Sequence, residues 1–171
     1  IRLANVCIVV LEANQGVVGA DATIAGYAHE AGRAVILAVN KWDLASGEKK
    51  REFTQQIRDQ MAYLDYAPIA HISAQKSQGV KALFDMIKKA YKGASQRVGT
   101  GELNRFVQRL NIEQNLKIYY FTQHGIRPPL FSVFTDHGEK LHFSHQRFLS
   151  NQLREHFGFY GTPIVIKPKR R

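Results

Sequence analysis

AVILAVNKWD, residues 34–43, runs six apolar residues directly into an Asn-Lys-Trp-Asp tetrad. Residues 34–39 read as a strand, and the tetrad stands at its carboxyl end. Upstream, residues 4–11 read as a buried strand, continuous and rich in Val and Ile. Between the two, Ala20, Ile24, Tyr27, Ala28 and Ala31 fall on one helical face, and Gly32 sits where a helix would stop. Downstream, Phe53, Ile57, Met61 and Leu64 space a second helix at steps of three and four. Residues 68–72 form a third strand, and Val80, Leu83, Phe84, Ile87 and Tyr91 mark a third helix. Strands alternating with helices of this length predict an α/β fold, a parallel sheet with right-handed crossovers and helices on both faces.

The tetrad carries the sharpest chemistry. Ligands of open α/β sheets sit at the carboxyl ends of strands, where Asn40 to Asp43 stand. A carboxylate at Asp43 can accept from a ring N–H and an exocyclic amino group together, a donor pair that guanine has and adenine lacks. The Asn40 amide can reach the base edge, the Lys41 stem can lie over the ring, and Trp42 completes the loop. Ser73-Ala74 follows the next strand, 33 residues after Asn40. There the Ala74 backbone N–H could meet the guanine oxygen while Ser73 braces the loop around Asp43. Two such loops at neighbouring strand ends favour guanine binding, because the wrong base leaves buried polar groups unpaired.

Beyond residue 93 the grammar changes. Residues 92–101, KGASQRVGTG, hold three glycines and little apolar content, as a linker would. Leu103, Phe106, Val107 and Leu110 form a helical stripe. Two strands are expected at 117–122 and 130–135, around a loop with Gly125, Pro128 and Pro129. Leu149, Leu153 and Phe157 mark a further helix with Ser144 as its N-cap, and 163–166 closes as a short strand before a basic tail. The order αββαβ predicts a small α+β module over 94–171, distinct from the α/β part over 1–93. Charge divides similarly. The chain carries +10, with 12 Lys and Arg against 9 Asp and Glu in residues 1–93 but 12 against 5 in residues 94–171. That excess points to a polyanion, nucleic acid before an anionic membrane. The longest apolar runs, residues 6–11 and 34–39, are strand-sized, so no membrane partner is expected. Cys7, the only cysteine, lies inside the first run and reads as a small buried hydrophobe of a reducing compartment.

The tetrad, Ser73-Ala74, the stretch NQGVVGAD (residues 14–21) and VNKWDL (residues 39–44) resemble the EngA/Der family of tandem GTPases. The likeness runs along the whole chain: the later half of the second GTPase domain, then a KH-like domain. It implies a cytoplasmic GTPase that binds GTP or GDP with Mg²⁺ and acts in assembly of the large ribosomal subunit. The KH-like part would contact rRNA, or dock on the first GTPase domain of the same protein without touching RNA. The sequence departs from the family in lacking any GxxxxGKS/T or DxxG string, the elements that hold phosphates, Mg²⁺ and the attacking water. No catalytic residue and no metal ligand is therefore assigned, and hydrolysis by these residues alone is not expected. A start at Ile1 rather than Met agrees with a piece of a longer protein.

In the basic module, Gly158-Phe159-Tyr160-Gly161 spells the GXXG of KH clamps, but it follows a helix and leads into a strand, which reads as a turn. Tyr119, Tyr120, Phe121, Phe131 and Phe134 are candidates for a stacking platform, with core packing the expectation for most. The histidines at 124, 137, 142, 145 and 156 lack metal-site spacing and read as surface or capping residues, while His71 reads as packed in its strand. Lys167, Lys169, Arg170 and Arg171 are the candidate phosphate contacts.

Overall fold

The computed structural model describes residues 1–110, 116–136 and 141–169, so His137, Arg170 and Arg171 lie outside the described residues. The chain divides into two units: Ile1–Ala94 with Tyr160–Pro163, and Ser95–Phe159 with Ile164–Arg171.

In the first unit β1 (Val6–Glu12), β2 (Ala34–Asn40) and β3 (Ile69–His71) form a parallel sheet with β2 central. The alternation of β2 explains the layering. Val35, Leu37 and Val39 join Ala25 and Ala28 of α1 (Gly19–Glu30) and Phe53 and Ile57 of α2 (Gly47–Gln60) in one core. Ala34, Ile36 and Ala38 join Ala90 and Ala94 of α3 (Val80–Ser95) in another on the opposite face. A strand buried on both sides has no polar alternation, and residues 34–39 have none.

Three expectations need correction here. β1 is not buried throughout: it is an edge strand whose Val9/Leu11 face enters one core, while on the other face Val6 is only partly buried and Val10 is 57% exposed. α1 turns Ala25 and Ala28 inward, with Ile24 and Tyr27 exposed, because small residues permit the close helix–sheet approach that bulkier ones prevent. On α3 the packed residues are Leu83, Met86, Ile87, Ala90 and Ala94, whereas Phe84 and Tyr91 are exposed. Cys7 is a half-buried free thiol packed against the first core.

In the second unit α4 (Thr100–Arg109) and α5 (Phe143–Phe157) pack with a sheet ordered β4-β5-β6: β4 (Ile118–Gly125), β5 (Leu130–Thr135) and β6 (Val165–Lys169). β4 and β5 are antiparallel, β5 and β6 parallel, and the helix–strand order is αββαβ. Leu103, Phe106, Val107, Phe121, Phe131, Val133, Leu149, Leu153 and Phe159 share its core. β4 is an edge strand, and Asn104 of α4 closes part of that edge: its amide accepts from Phe121 N–H and donates to Phe121 C=O, both at 3.0 Å. Gln123, buried, fixes the connector before α4, accepting from Val98 N–H at 2.8 Å and donating to Gln96 C=O at 2.9 Å.

The linker expected over 92–101 shrinks to residues 96–99, because α3 continues to Ser95 and buries Gly93 and Ala94. The N-cap of α5 is His142 rather than Ser144; its Nδ1 accepts from Ser144 N–H at 3.3 Å. Lys167 and Lys169 belong to β6, not to a tail.

Candidate functional site

Parallel pairing puts the ends of β1, β2 and β3 together, with Glu12 in register with Asn40 and Val39 with His71. Lys41 then adopts a left-handed conformation (φ 58°) and Trp42–Leu44 makes one 3₁₀ turn. This abrupt bend brings Asp43 back over the end of β3. The two loops are tied by Trp42 N–H donating to Ile72 C=O at 3.1 Å, and by Ala74 N–H donating to Asn40 Oδ1 at 3.0 Å. The Ala74 N–H, expected to face a guanine oxygen, is thus donated to Asn40.

The loop after β3 closes on itself. Ser73 and Gln78 exchange two backbone hydrogen bonds, each 3.0 Å, and Gly79 follows at φ 73°. Ser73 is buried and its hydroxyl hydrogen-bonds the Asp43 side chain. Lys76 Nζ stands 3.0 Å from Asp43 Oδ2, and the Asp43 side chain is 9% exposed. The hydrogen bond with Ser73 and then that with Lys76 hold the Asp43 carboxyl below the usual carboxylate range. Asp43 accordingly stays an acceptor at any ordinary pH, and loses that role only as pH falls through its lowered value.

The remaining tetrad residues have partners that sequence reading missed. Lys41 Nζ pairs with Glu12 Oε2 at 2.9 Å, anchoring its stem at the end of β1. Trp42 stacks on His71 with centroids 4.0 Å apart, and Lys50 Nζ lies 5.3 Å from the Trp42 ring centroid. His71, expected to be packed in its strand, is instead exposed, with one ring face against Trp42. Strand register would have flagged Glu12, opposite Asn40; nothing in the sequence singled out Lys76, whose position depends on how its loop closes.

Burial, and then the Lys50 charge, lower the His71 pKa. Burial also lowers that of His29, against the opposing pull of Glu30 and Asp65. His29 Nδ1 lies 2.9 Å from the Tyr66 hydroxyl. Both rings resist protonation in the folded state, so the unfolded chain takes up protons more readily as pH falls through the ordinary histidine value. The urea midpoint of the chain is expected to be lower at pH 5.5 than at pH 7.5, and His71→Phe, which keeps a ring against Trp42, should lessen the difference. A midpoint that is flat across this window would contradict the lowered pKa of both rings.

The Gly158-x-x-Gly161 string, which passes from the second unit into the first at Tyr160, is a structural turn. Gly158 (φ 99°) caps α5, Phe159 is 1% exposed in the core, and Gly161 O accepts from Val35 N–H at 2.8 Å. A clamp needs an open loop, and here residues 159 and 161–163 are buried. Phe121 and Phe131 are core residues, while Tyr119 and Tyr120 are exposed and Phe134 is half-buried. Lys167 and Lys169 are exposed along β6. Among the described residues no group of three or more His, Cys, Asp or Glu is placed to hold a metal, and no helix is long and apolar enough to cross a membrane.

Residues 97–169 match the family described as KH-domain-like of EngA bacterial GTPase enzymes, C-terminal, and residues 1–92 match the elongation factor Tu GTP binding domain. GTPase Der of Staphylococcus carnosus (strain TM300) is 42% identical over 182 residues, covering 100% of this chain and 42% of that protein. GTPase Der of Lactobacillus delbrueckii subsp. bulgaricus (strain ATCC BAA-365) is 43% identical over 178 residues, covering 98% of this chain and 41% of its own length. The chain thus spans less than half the length of these curated relatives. A solved structure of Era with MgGDPNP and nucleotides 1506–1542 of 16S ribosomal RNA aligns with 98% of this chain and 65% of its own, at 16% identity and a TM-score of 0.44. That likeness is too slight to bear on fold or function.

Proposed function

The chain belongs to the EngA/Der family of GTPases, and from that premise we propose that it is the guanine-reading part of a GTP-hydrolysing protein that assists assembly of the large ribosomal subunit. The observation that carries the reading is the ionised, nearly buried Asp43 carboxylate, held by Ser73 and Lys76 beside Asn40 and Ala74 at the ends of two adjacent parallel strands. In this reading Asp43 accepts the two N–H groups of the guanine edge and Asn40 and the Ala74 N–H serve the rest of it. The Lys41 stem covers the ring, and Trp42 fixes the loop. The Lys76 ammonium moves aside, or stays on the outer lone pair of Asp43.

These residues fit the base end of GTP or GDP. They do not fit its Mg²⁺, because the sequence holds no GxxxxGKS/T cradle whose Ser or Thr would hold the ion beside the phosphates. No hydrolytic step is assigned to this chain. The second unit, basic and KH-like, supplies the contact with rRNA in this reading, with the cytoplasm as its setting.

The test has two arms. A longer protein that restores the upstream half of the domain should bind a fluorescent GDP analogue, displaced by GTP or GDP but not by ADP. The 171 residues alone should turn over no GTP, since nothing in them stabilises the transferring phosphoryl charge. Displacement by ADP as effective as by GDP would overturn the guanine reading. Turnover that survives repurification and vanishes in Asn40→Ala would overturn the division of labour.

A further inference from the structure

Strand register sorts the second unit's sheet into two faces. Phe121, Val133, Phe131 and Ile166 point into the core. The other face carries two rows that cross all three strands: Tyr120, Phe134 and Lys169, then Thr122, Ser132 and Lys167. Residues in register on neighbouring strands share a face, so each row places an ammonium beside polar or aromatic side chains about 5 Å from strand to strand. Tyr120 is 45% exposed and meets Phe134 edge-on, with centroids 5.7 Å apart. His124, exposed, extends the face beyond the second row, its Nδ1 3.3 Å from Ser132 Oγ. No Asp or Glu occurs in β4, β5 or β6.

We propose that this outer face is a stacking platform for single-stranded RNA, with one base on the exposed Tyr120 ring, supported by Phe134, and neighbouring phosphates on Lys167 and Lys169. The proposal rests on the reading that the second unit contacts RNA, and adds where and how. Edge-to-face support from Phe134 holds the Tyr120 ring in place, so little side-chain freedom is lost when a base arrives. Two lysines two residues apart on one strand stand roughly 7 Å from each other on one face, within reach of successive phosphates. A face of rings and ammonium groups without a carboxylate suits a polyanion with flat bases, and stacking tolerates any base. Duplex RNA offers no unstacked base, so the platform discriminates by strandedness rather than sequence. The site is separate from the Gly158-x-x-Gly161 turn, whose burial removes the alternative clamp.

The experiment is fluorescence anisotropy with the whole chain and a labelled 12-nucleotide oligouridylate, alongside an RNA duplex of equal length. Tyr120→Ala should weaken oligouridylate binding roughly tenfold and leave duplex binding within about twofold, whereas Tyr120→Phe should restore it. Lys167→Gln with Lys169→Gln should weaken both and reduce the salt slope for the single strand by about 1.4. Circular dichroism on each variant excludes a folding defect, and the exposure of these side chains makes one unexpected. Single-strand affinity unchanged in Tyr120→Ala, with RNA still bound, would overturn the platform while sparing the RNA reading. No RNA binding by the wild-type chain at low salt would overturn both, and leave docking on protein as the role of this unit.

Discussion

In the nucleotide-competent protein, Asp43→Asn should lower affinity for GDP by roughly a hundredfold or more and raise affinity for the xanthine diphosphate. In the proposed reading the carboxylate accepts two guanine N–H groups, and a hydrogen bond to a charged group contributes about 1.5–3 kcal/mol, so converting one acceptor into a donor costs at least that and sets two N–H groups against each other. Xanthine carries a carbonyl where guanine has its amino group, so the new amide N–H regains a partner. The substitution also weakens the ion pair with Lys76, 3.0 Å from Asp43 Oδ2, and that could loosen the loop by itself. The xanthine arm separates the two effects, because a loosened loop gains affinity for nothing. Competition among GDP, XDP and ADP against one fluorescent probe measures it. A guanine preference left intact by Asp43→Asn would remove Asp43 from the base edge.

Gly79→Ala should unfold the loop that presents Ser73 and Ala74. Gly79 has φ 73°, and a Cβ there would collide with the backbone carbonyl of His71, which has no flexible end to swing away. Left-handed backbone costs a non-glycine residue about 1–2 kcal/mol and overpacking about 1–3 more, so about 2–5 kcal/mol of stability should be lost. Gly19→Ala is the control: it sits at the start of α1, where an added Cβ meets nothing. Urea unfolding should separate the two variants clearly, with Gly19→Ala close to wild type. Equal midpoints would mean that the Ser73–Gln78 closure is not as tight as its paired hydrogen bonds indicate.

The alternation of strands and helices was legible because β2 is buried on both faces and its six apolar residues say so without help. The α2 region was legible for a similar reason: Phe53, Ile57, Met61 and Leu64 are all large and all four are buried, although the helix stops at Gln60 and Leu64 ends a separate 3₁₀ turn. α1 misled because helical periodicity reports which residues share a face, not which face approaches the sheet, and a tight approach selected Ala25 and Ala28 over Ile24 and Tyr27. The reach of α3 through Gly93 and Ala94 was hidden by composition, since small residues resemble a linker until something packs on them. At the site, Asn40 to Asp43 announce themselves by spacing. Glu12, Lys76 and His71 do not, because their roles depend on strand register and on one loop closure. The aromatic residues of the basic unit were legible only as a set; the antiparallel register of β4 and β5 divided them between core and surface.

Asn104 bears on what happens at concentration rather than at the melting point. An edge strand presents a row of unsatisfied donors and acceptors, and another copy of β4 would be their natural complement. With its amide on both backbone groups of Phe121, Asn104 takes the place of that incoming strand at the middle of the edge. An apolar substitute such as Leu could keep α4 helical and would bare a template for chain-to-chain pairing. Its cost would be read in light scattering, as self-association of a protein whose fold is otherwise intact.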